Sequence, residues 1–196
     1  MSKQAALFLD RDGVVIEELG YVGLPDDAVL IPGAAAAIAR VNAAGIPVVV
    51  VTNQAGVGRG YFTETDVQNV HHRIVEMLAA EGAKIDRFYH CPHHPQAAVE
   101  RYRMACDCRK PAAGMLSLAA EELGLALERS MLVGDKASDL QAALAAGCTP
   151  VLVETGYGKE TAEKLGEWSS PNSIKVFPSI VQAAEFCLGE LTTNDR

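Results

Sequence analysis

A basic surplus is missing from this sequence. Its 17 Lys and Arg are outnumbered by 25 Asp and Glu, giving a formal net charge of −8. A chain without spare cations has little to set against the phosphates of a nucleic acid or an anionic bilayer, so no nucleic-acid or membrane partner is expected. A local basic pocket for a small anion is still allowed. Long apolar runs are missing too. Nothing approaches the roughly 20 residues of a membrane span, and the apolar run of GIPVVVV, Ile46 to Val51, is strand-sized. The start, MSKQAALFLD, reaches a charge too soon for the core of a secretion signal. The five cysteines are an odd number, and with no secretion signal they favour a reducing cytoplasm over a disulfide framework. Internal repeats and low-complexity linkers are also lacking. The 196 residues therefore suit one domain, 1–196. At that length folding buries roughly 70% of the unfolded chain's surface, so the core needs no staple. A monomer is expected.

What is present is a series of short apolar runs. Ala5 to Leu9, Pro47 to Val51, Met131 to Val133 and Val151 to Val153 are continuous rather than alternating. That pattern marks strands buried on both faces of a parallel sheet. Helical segments are predicted between them. Pro32 opens one over Ala34 to Ala44, closed by Gly45. Thr63 to Asp66 has the form of a capping box before Val67 to Ala80. Further helices are predicted over Ala112 to Leu123, Ser138 to Ala146 and Ser179 to Leu191. Alternating strands and helices give an α/β class, with one Rossmann-like, doubly wound domain and a mostly parallel sheet. Gly156 to Ser173 is polar and left unassigned, and the final TTNDR is expected to fray. No room is left for a large cap domain. Access to a site must be set by Glu17 to Asp27, Gln54 to Tyr61 and the cysteine-rich loop.

In such sheets ligands bind outside the carboxyl ends of the strands. Three of the four runs end there in a polar group: Asp10, Thr52 and Asp135. LFLDRDGVV places Asp10 and Asp12 two apart, on one side of an extended chain, with Arg11 expected to point elsewhere and Gly13 to turn the backbone. Two close carboxylates repel and need a cation or a shared proton. With Asp135 as a third oxygen and Asp139 behind it, the set suits Mg²⁺, which favours oxygen ligands and a substrate phosphate. Thr52 and Asn53 offer a hydroxyl and an amide to that phosphate, and Lys110 stands at a predicted helix start where N–H groups face anions. Singly, each residue is commonly a turn or cap; the joint pattern D-x-D-G, T-N-Q, K-P and G-D-x-x-x-D is not.

The stretch CPHHPQAAVERYRMACDCRKP supplies a second ligand set. Cys91, His93, Cys106 and Cys108 are three thiols and one imidazole, the make-up of a closed structural zinc site in a loop of about 90–110. Scattered core cysteines are the bland alternative. Cys148 and Cys187 read as core residues, His90 and His94 as spare, and His71 and His72 as solvated or partner-facing.

With these motifs in this order, the chain from about Leu7 to about Val153 resembles the haloacid dehalogenase-like phosphohydrolases. The resemblance implies Asp10 as nucleophile, Asp12 as general acid and base, and Thr52 and Lys110 as holders of the phosphoryl group. It implies Mg²⁺ on Asp10, the backbone carbonyl of Asp12, and Asp135. FLDRDGVV, VVVVTNQAGVGRG, the cysteine loop and VGDKASD look most like a narrower zinc-bearing group. That group includes the D-glycero-D-manno-heptose 1,7-bisphosphate 7-phosphatases, which serve ADP-heptose and lipopolysaccharide core synthesis, and the histidinol-phosphate phosphatases. It implies a small phosphorylated sugar as substrate, contacted by Glu18, Leu19, Gly20, Tyr21, Asn53, Gln54, Ala55, Arg109 and Lys136. Glu18 and Leu19 stand where some relatives have Asp-His, and Ala55 where Ser is common. Arg109 suits a second phosphate, because a guanidinium grips phosphate bidentately. A histidinol phosphatase and a non-catalytic zinc-organised binding module are the alternatives.

Overall fold

The protein is described by a computed structural model that covers residues 3–167 and 174–193. Six strands form one parallel sheet: β1 (Leu7–Leu9), β2 (Val48–Asn53), β3 (Arg87–Cys91), β4 (Met131–Gly134), β5 (Thr149–Val153) and β6 (Lys175–Phe177). Their spatial order is β3-β2-β1-β4-β5-β6, with every neighbouring pair parallel. The chain winds outward from β1 in one direction through β2 and β3, then returns to β1's other side with β4. Between β1 and β4 the winding reverses, and the crevice outside their carboxyl ends is where such sheets bind ligands.

The central strands are continuous hydrophobic runs because both faces are covered. Leu7, Leu9, Val48, Val50, Val133, Val151 and Val153 face one core, with α1 (Ala34–Ala43), part of α3 (Glu64–Ala79) and α7 (Ile180–Thr193). Phe8, Val49, Val51 and Leu132 face the other, with α4 (Gly114–Leu123) and α5 (Ala137–Ala146). The alternation of one strand's residues between two cores is the pleat itself. Cys148 and Cys187 are buried in these two cores, as expected.

Several expectations are corrected. Strands β3 and β6 lie at the sheet edges, where polar residues such as Arg87, His90 and Lys175 break the apolar run that marks an inner strand. Gln54 to Tyr61 is not all loop: it contains the short helix α2 (Ala55–Arg59), despite two glycines. Those glycines are needed for packing, since a side chain at Gly56 would strike the Phe62 ring and one at Gly58 the Pro92 carbonyl. Pro32 does not sit inside α1, which starts at Ala34 after an N-cap at Gly33 with φ 82°. Helix α4 begins at Gly114, so Lys110 precedes it by a turn and is not at its first residue. The capping box is real: Thr63 N donates to Asp66 Oδ2 (2.7 Å) and Asp66 N to Thr63 Oγ1 (3.2 Å). The segment left unassigned contains α6 (Gly158–Lys164), while its residues 168–173 lie outside the described residues. Of TTNDR, Thr192 and Thr193 continue α7, and the remaining three residues also lie outside them. Among the described residues, no helix is long and apolar enough to cross a membrane.

Candidate active site

Strand β1 delivers Asp10 to the crevice, β2 delivers Thr52, and β4 delivers Asp135; all three side chains are buried. Lys110 arrives from the loop before α4 and is buried as well. Its Nζ touches Asp10 Oδ1 at 2.8 Å and Asp139 Oδ1 at 2.6 Å, and donates to the Val51 carbonyl at 2.8 Å. Asn53 pins this lysine's backbone from both sides: Asn53 Nδ2 donates to Lys110 O (2.9 Å), and Lys110 N donates to Asn53 Oδ1 (3.0 Å). Burial works against the charge on Lys110, but the carboxylates of Asp10 and Asp139 outweigh it and raise its pKa. The lysine is therefore a fixed cation.

Lys110 touches two of the three clustered acids, and the charge of Lys136 acts on the third, Asp135. Oxygens of Asp10, Asp135 and Asp139 lie within 4.8 Å of one another, all buried. Burial first, then the neighbouring charge of Asp10, pushes Asp135 up to about 8. Asp135 Oδ2 accepts from Tyr157 N (2.9 Å), whereas Asp135 Oδ1 is buried with no hydrogen-bond partner. The backbone crowds this carboxylate on two sides: a side chain at Gly13 (φ 84°) or Gly156 (φ 57°) would collide with Asp135 Oδ2. Excess negative charge, an orphaned oxygen and oxygen-only donors fit a small hard cation. Asp139 also accepts from Lys136 N at 2.9 Å through Oδ2, so it braces both Lys110 and the turn into α5.

A pocket of about 330 Å³ opens above this floor. Its wall brings together most of the residues expected from the sequence: Asp12, Glu18, Gly20, Tyr21, Asn53, Gln54, Ala55, Arg109, Lys110 and Lys136. Among the expected substrate contacts Leu19 is the exception; it is exposed and not part of the lining. Lys136 Nζ contacts Glu18 Oε2 at 2.6 Å and lies 4.4 Å from the centre of the Tyr157 ring. Arg109 Nη1 donates to the His93 carbonyl at 3.2 Å. Val22, Gly56, Ser138 and Tyr157 complete the wall and had escaped sequence reasoning. The signal for Tyr157 was its position just after a strand end, at β5.

Arg11 stays out of the pocket lining, as expected, but it turns inward and not to solvent. The strand ends at Leu9, so strict alternation no longer applies, and the Arg11 guanidinium folds back onto the Asp12 carboxylate at 2.9 Å.

The cysteine loop gathers its four expected ligands. Cys91 Sγ lies 3.5 Å from Cys106 Sγ and 3.1 Å from Cys108 Sγ, and His93 Nδ1 lies 3.3 Å from Cys108 Sγ. Four donor atoms within 4.8 Å of one another, three of them sulfur, fit a tetrahedral soft-metal site. Gly114 N donates to Asp107 O at 2.8 Å, and a side chain at Gly114 would strike that carbonyl, so the loop packs directly on the start of α4. His94 caps its own turn, accepting from Gln96 N at 3.0 Å. His90 contacts Glu64 at 3.2 Å. His71 is not solvated: it is buried and stacked on Phe88 (4.4 Å between centroids). Burial, then the charge of Arg11, takes its pKa down to about 2, so it is neutral.

Comparison with known proteins fits this geometry. Residues 7–76 match the family described as "Haloacid dehalogenase-like hydrolase", and residues 107–183 a second one, HAD-hydrolase-like. The chain is 41% identical to the D-glycero-beta-D-manno-heptose-1,7-bisphosphate 7-phosphatase of Escherichia coli, over 90% of this chain and 93% of that protein. It is 45% identical to the enzyme of that name from Rhodopseudomonas palustris, over 74% of this chain and 81% of that one. A crystal structure of the D,D-heptose 1,7-bisphosphate phosphatase from B. bronchiseptica, complexed with magnesium and phosphate, superposes with a TM-score of 0.84 at 37% identity, covering 95% of this chain and 99% of that one. The chain belongs to the haloacid dehalogenase-like hydrolase family, among its heptose bisphosphate phosphatase relatives.

Proposed function

We propose that this protein is a magnesium-dependent phosphatase that removes the 7-phosphate of D-glycero-D-manno-heptose 1,7-bisphosphate, a step toward ADP-heptose and the lipopolysaccharide core. One observation carries the reading: a buried Asp10–Lys110–Asp139 ion cluster floors a pocket whose wall holds two more cations, Arg109 and Lys136. A floor for one phosphoryl group and separate cations above it suit a substrate with two phosphates. Arg109 takes the distal phosphate in this reading, and Lys136, Glu18, Gly20 and Tyr21 border the sugar. The names of the relatives support the same substrate. Action as a cytoplasmic monomer goes with the reading.

Asp10 is the nucleophile. Lys110 and the Arg11 backbone N–H both hold its Oδ1, each at 2.8 Å, which leaves Oδ2 to attack phosphorus. The P–O bond to the sugar breaks as the bond to Asp10 forms, and Asp12 protonates the departing alkoxide. Asp12 then takes a proton from the water that releases phosphate from Asp10. Lys110 and Thr52 neutralise and orient the transferring group, which is most of what phosphoryl transfer asks of a protein. Asp10, Asp135 and the Asp12 carbonyl would hold Mg²⁺, with Asp139 behind, and the ion would supply charge neutralisation. Cys91, His93, Cys106 and Cys108 would hold a structural Zn²⁺.

The test is phosphate release from the heptose bisphosphate and from histidinol phosphate, side by side. A higher kcat/KM for the bisphosphate is expected. The reverse order would move the protein to the histidinol phosphatases, and no turnover of either would leave the binding-module alternative.

A further inference from the structure

Arg11 is the largest fully buried side chain among the described residues, and the chemistry above does not use its guanidinium. Its contacts converge on one group. Arg11 Nε donates to Asp12 Oδ1 (3.2 Å), and Nη2 donates to Asp12 Oδ1 (2.9 Å) and Oδ2 (3.0 Å). The same Nη2 reaches the carbonyl of Val22 (3.3 Å), in the segment that borders the pocket. Gln54 Nε2 adds a donor to Asp12 Oδ2 at 2.9 Å. Arg11's own carbonyl is fixed by the turn, accepting from Val15 N (2.9 Å) and Ile16 N (3.0 Å). Arg11 Nη1 has no hydrogen-bond partner, and neither does buried His71 Nε2, whose neutral ring offers the guanidinium no competing anion. Asp12 is its one ion-pair partner among the described residues.

Burying a guanidinium against a single carboxylate is weak evidence for stability, because desolvation offsets most of the attraction. The geometry fits a different task. An Asp carboxyl has a loosely defined terminal torsion, yet a general acid must sit within hydrogen-bond reach of the atom it protonates. A planar fork fixes both side-chain torsions of its carboxylate, which a lysine ammonium cannot do. Asp12 is held with its side chain 15% exposed, on the pocket wall.

We propose that Arg11 is a positioning residue: its buried fork holds the Asp12 carboxylate toward the leaving oxygen and ties it, through Val22, to the substrate-bordering segment. The proposal rests on the phosphatase reading, in which Asp12 gives a proton to the departing alkoxide. It separates two kinds of substrate. A sugar alkoxide needs that proton, whereas p-nitrophenolate departs without it.

The experiment compares kcat/KM for the sugar bisphosphate and for p-nitrophenyl phosphate in wild type, Arg11→Lys, Asp12→Asn and the double variant. In Arg11→Lys the sugar bisphosphate should lose about 10- to 100-fold, within the range of general acid catalysis, while the aryl phosphate loses less than about threefold. Asp12→Asn should show the same split in phosphoenzyme formation, read as the burst of leaving group, while its steady-state turnover falls on both substrates because Asp12 also activates the hydrolytic water. Adding Arg11→Lys to it should widen the burst-phase split no further. Equal losses on both substrates, or no loss, overturn the positioning role. If Asp12→Asn itself shows no split, the phosphatase reading of Asp12 fails instead. Should Arg11→Lys not fold, the Arg11 Nε–H resonance decides in the intact protein. Slow exchange with solvent and a shift in Asp12→Asn are expected; fast exchange, or no shift, overturns the clamp.

Discussion

The protein carries two clusters of metal-type side chains built on opposite plans. Asp10, Asp135 and Asp139 come from the ends of β1 and β4 and from α5, so the sheet itself sets their spacing. Cys91, His93, Cys106 and Cys108 come from the end of an edge strand and the loop after it, which is held by its own turns and by buried Ala97 and Tyr102 rather than by the sheet. The first cluster is buried, shares one lysine, and keeps an orphaned oxygen at Asp135 Oδ1. The second has four donors facing one another and none to spare. A set with spare valence beneath a pocket can do chemistry; a saturated set can only hold. Yet the two are joined by one peptide step. Cys108 ends the second cluster, Arg109 enters the pocket wall, and Lys110 enters the floor. The sulfur cluster thus ends one residue before the pocket wall and two before the floor.

The comparison breaks most simply at Asp10. Asp10→Asn should lower kcat at least about a thousandfold, as expected when a nucleophile is removed, while zinc content stays at about one per chain. Retention of full activity would refute the nucleophile and, with it, the assignment of chemistry to the oxygen cluster.

Cys108→Ser attacks the other side. Bound zinc should fall to none, because a structural site needs its full ligand set. Thermal stability should drop, and KM should rise about tenfold as Arg109 loosens, a change of about 1.4 kcal/mol. The phosphoenzyme should still form on Asp10. If metal analysis and kinetics are both unchanged, the brace does not exist.

Arg109→Gln sharpens the boundary between the clusters. Its loss should reach about 10- to 100-fold in kcat/KM for the bisphosphate, the worth of a charge-assisted hydrogen bond, with zinc retained. A monophosphorylated sugar should be affected far less. Equal losses on both would assign Arg109 to the floor instead of the rim.

How much of this could be read in the sequence followed from burial. The inner strands β1, β2, β4 and β5 were legible because both faces are covered, so their residues are uniformly apolar. Edge strands β3 and β6 carry charges and lost that signal. The motif residues at strand ends were legible because the sheet fixes where strand ends lie. Side-chain direction beyond the strand was not. Arg11 and Asp12 sit just past β1, where Gly13 at φ 84° turns the backbone, so the Arg11 contact with Asp12 could not be read from two-residue alternation. Tyr157 escaped because it lies in a polar segment without periodicity; its backbone N–H reaches Asp135 and its ring meets Lys136, a residue distant in sequence. His71 escaped because its burial depends on Phe88, in a strand the periodicity did not mark.

The smallest expected effect tests the spare valence of the oxygen cluster without a mutation. Asp135 is raised to about 8 by burial and then by Asp10, so its ionised form is disfavoured in the folded protein. A raised carboxylate contributes stability that is full below its unfolded value and is lost as pH rises through the folded one. His71 runs the other way, since its folded value near 2 gives stability that is lost as pH falls below about 6.5. The raised values of Lys110 and Lys136 keep their contributions constant until far higher pH. The window from pH 6.5 to 8 therefore isolates Asp135. In magnesium-free buffer, with zinc left in place, stability should fall across that window by on the order of 1–2 kcal/mol. Added Mg²⁺ should flatten the slope, because a cation at the cluster stabilises the ionised carboxylates. Thermal melts at several pH values, with and without Mg²⁺, read this directly. A slope that Mg²⁺ leaves unchanged would mean the oxygen cluster is as closed as the sulfur one, and the contrast between the two would be lost.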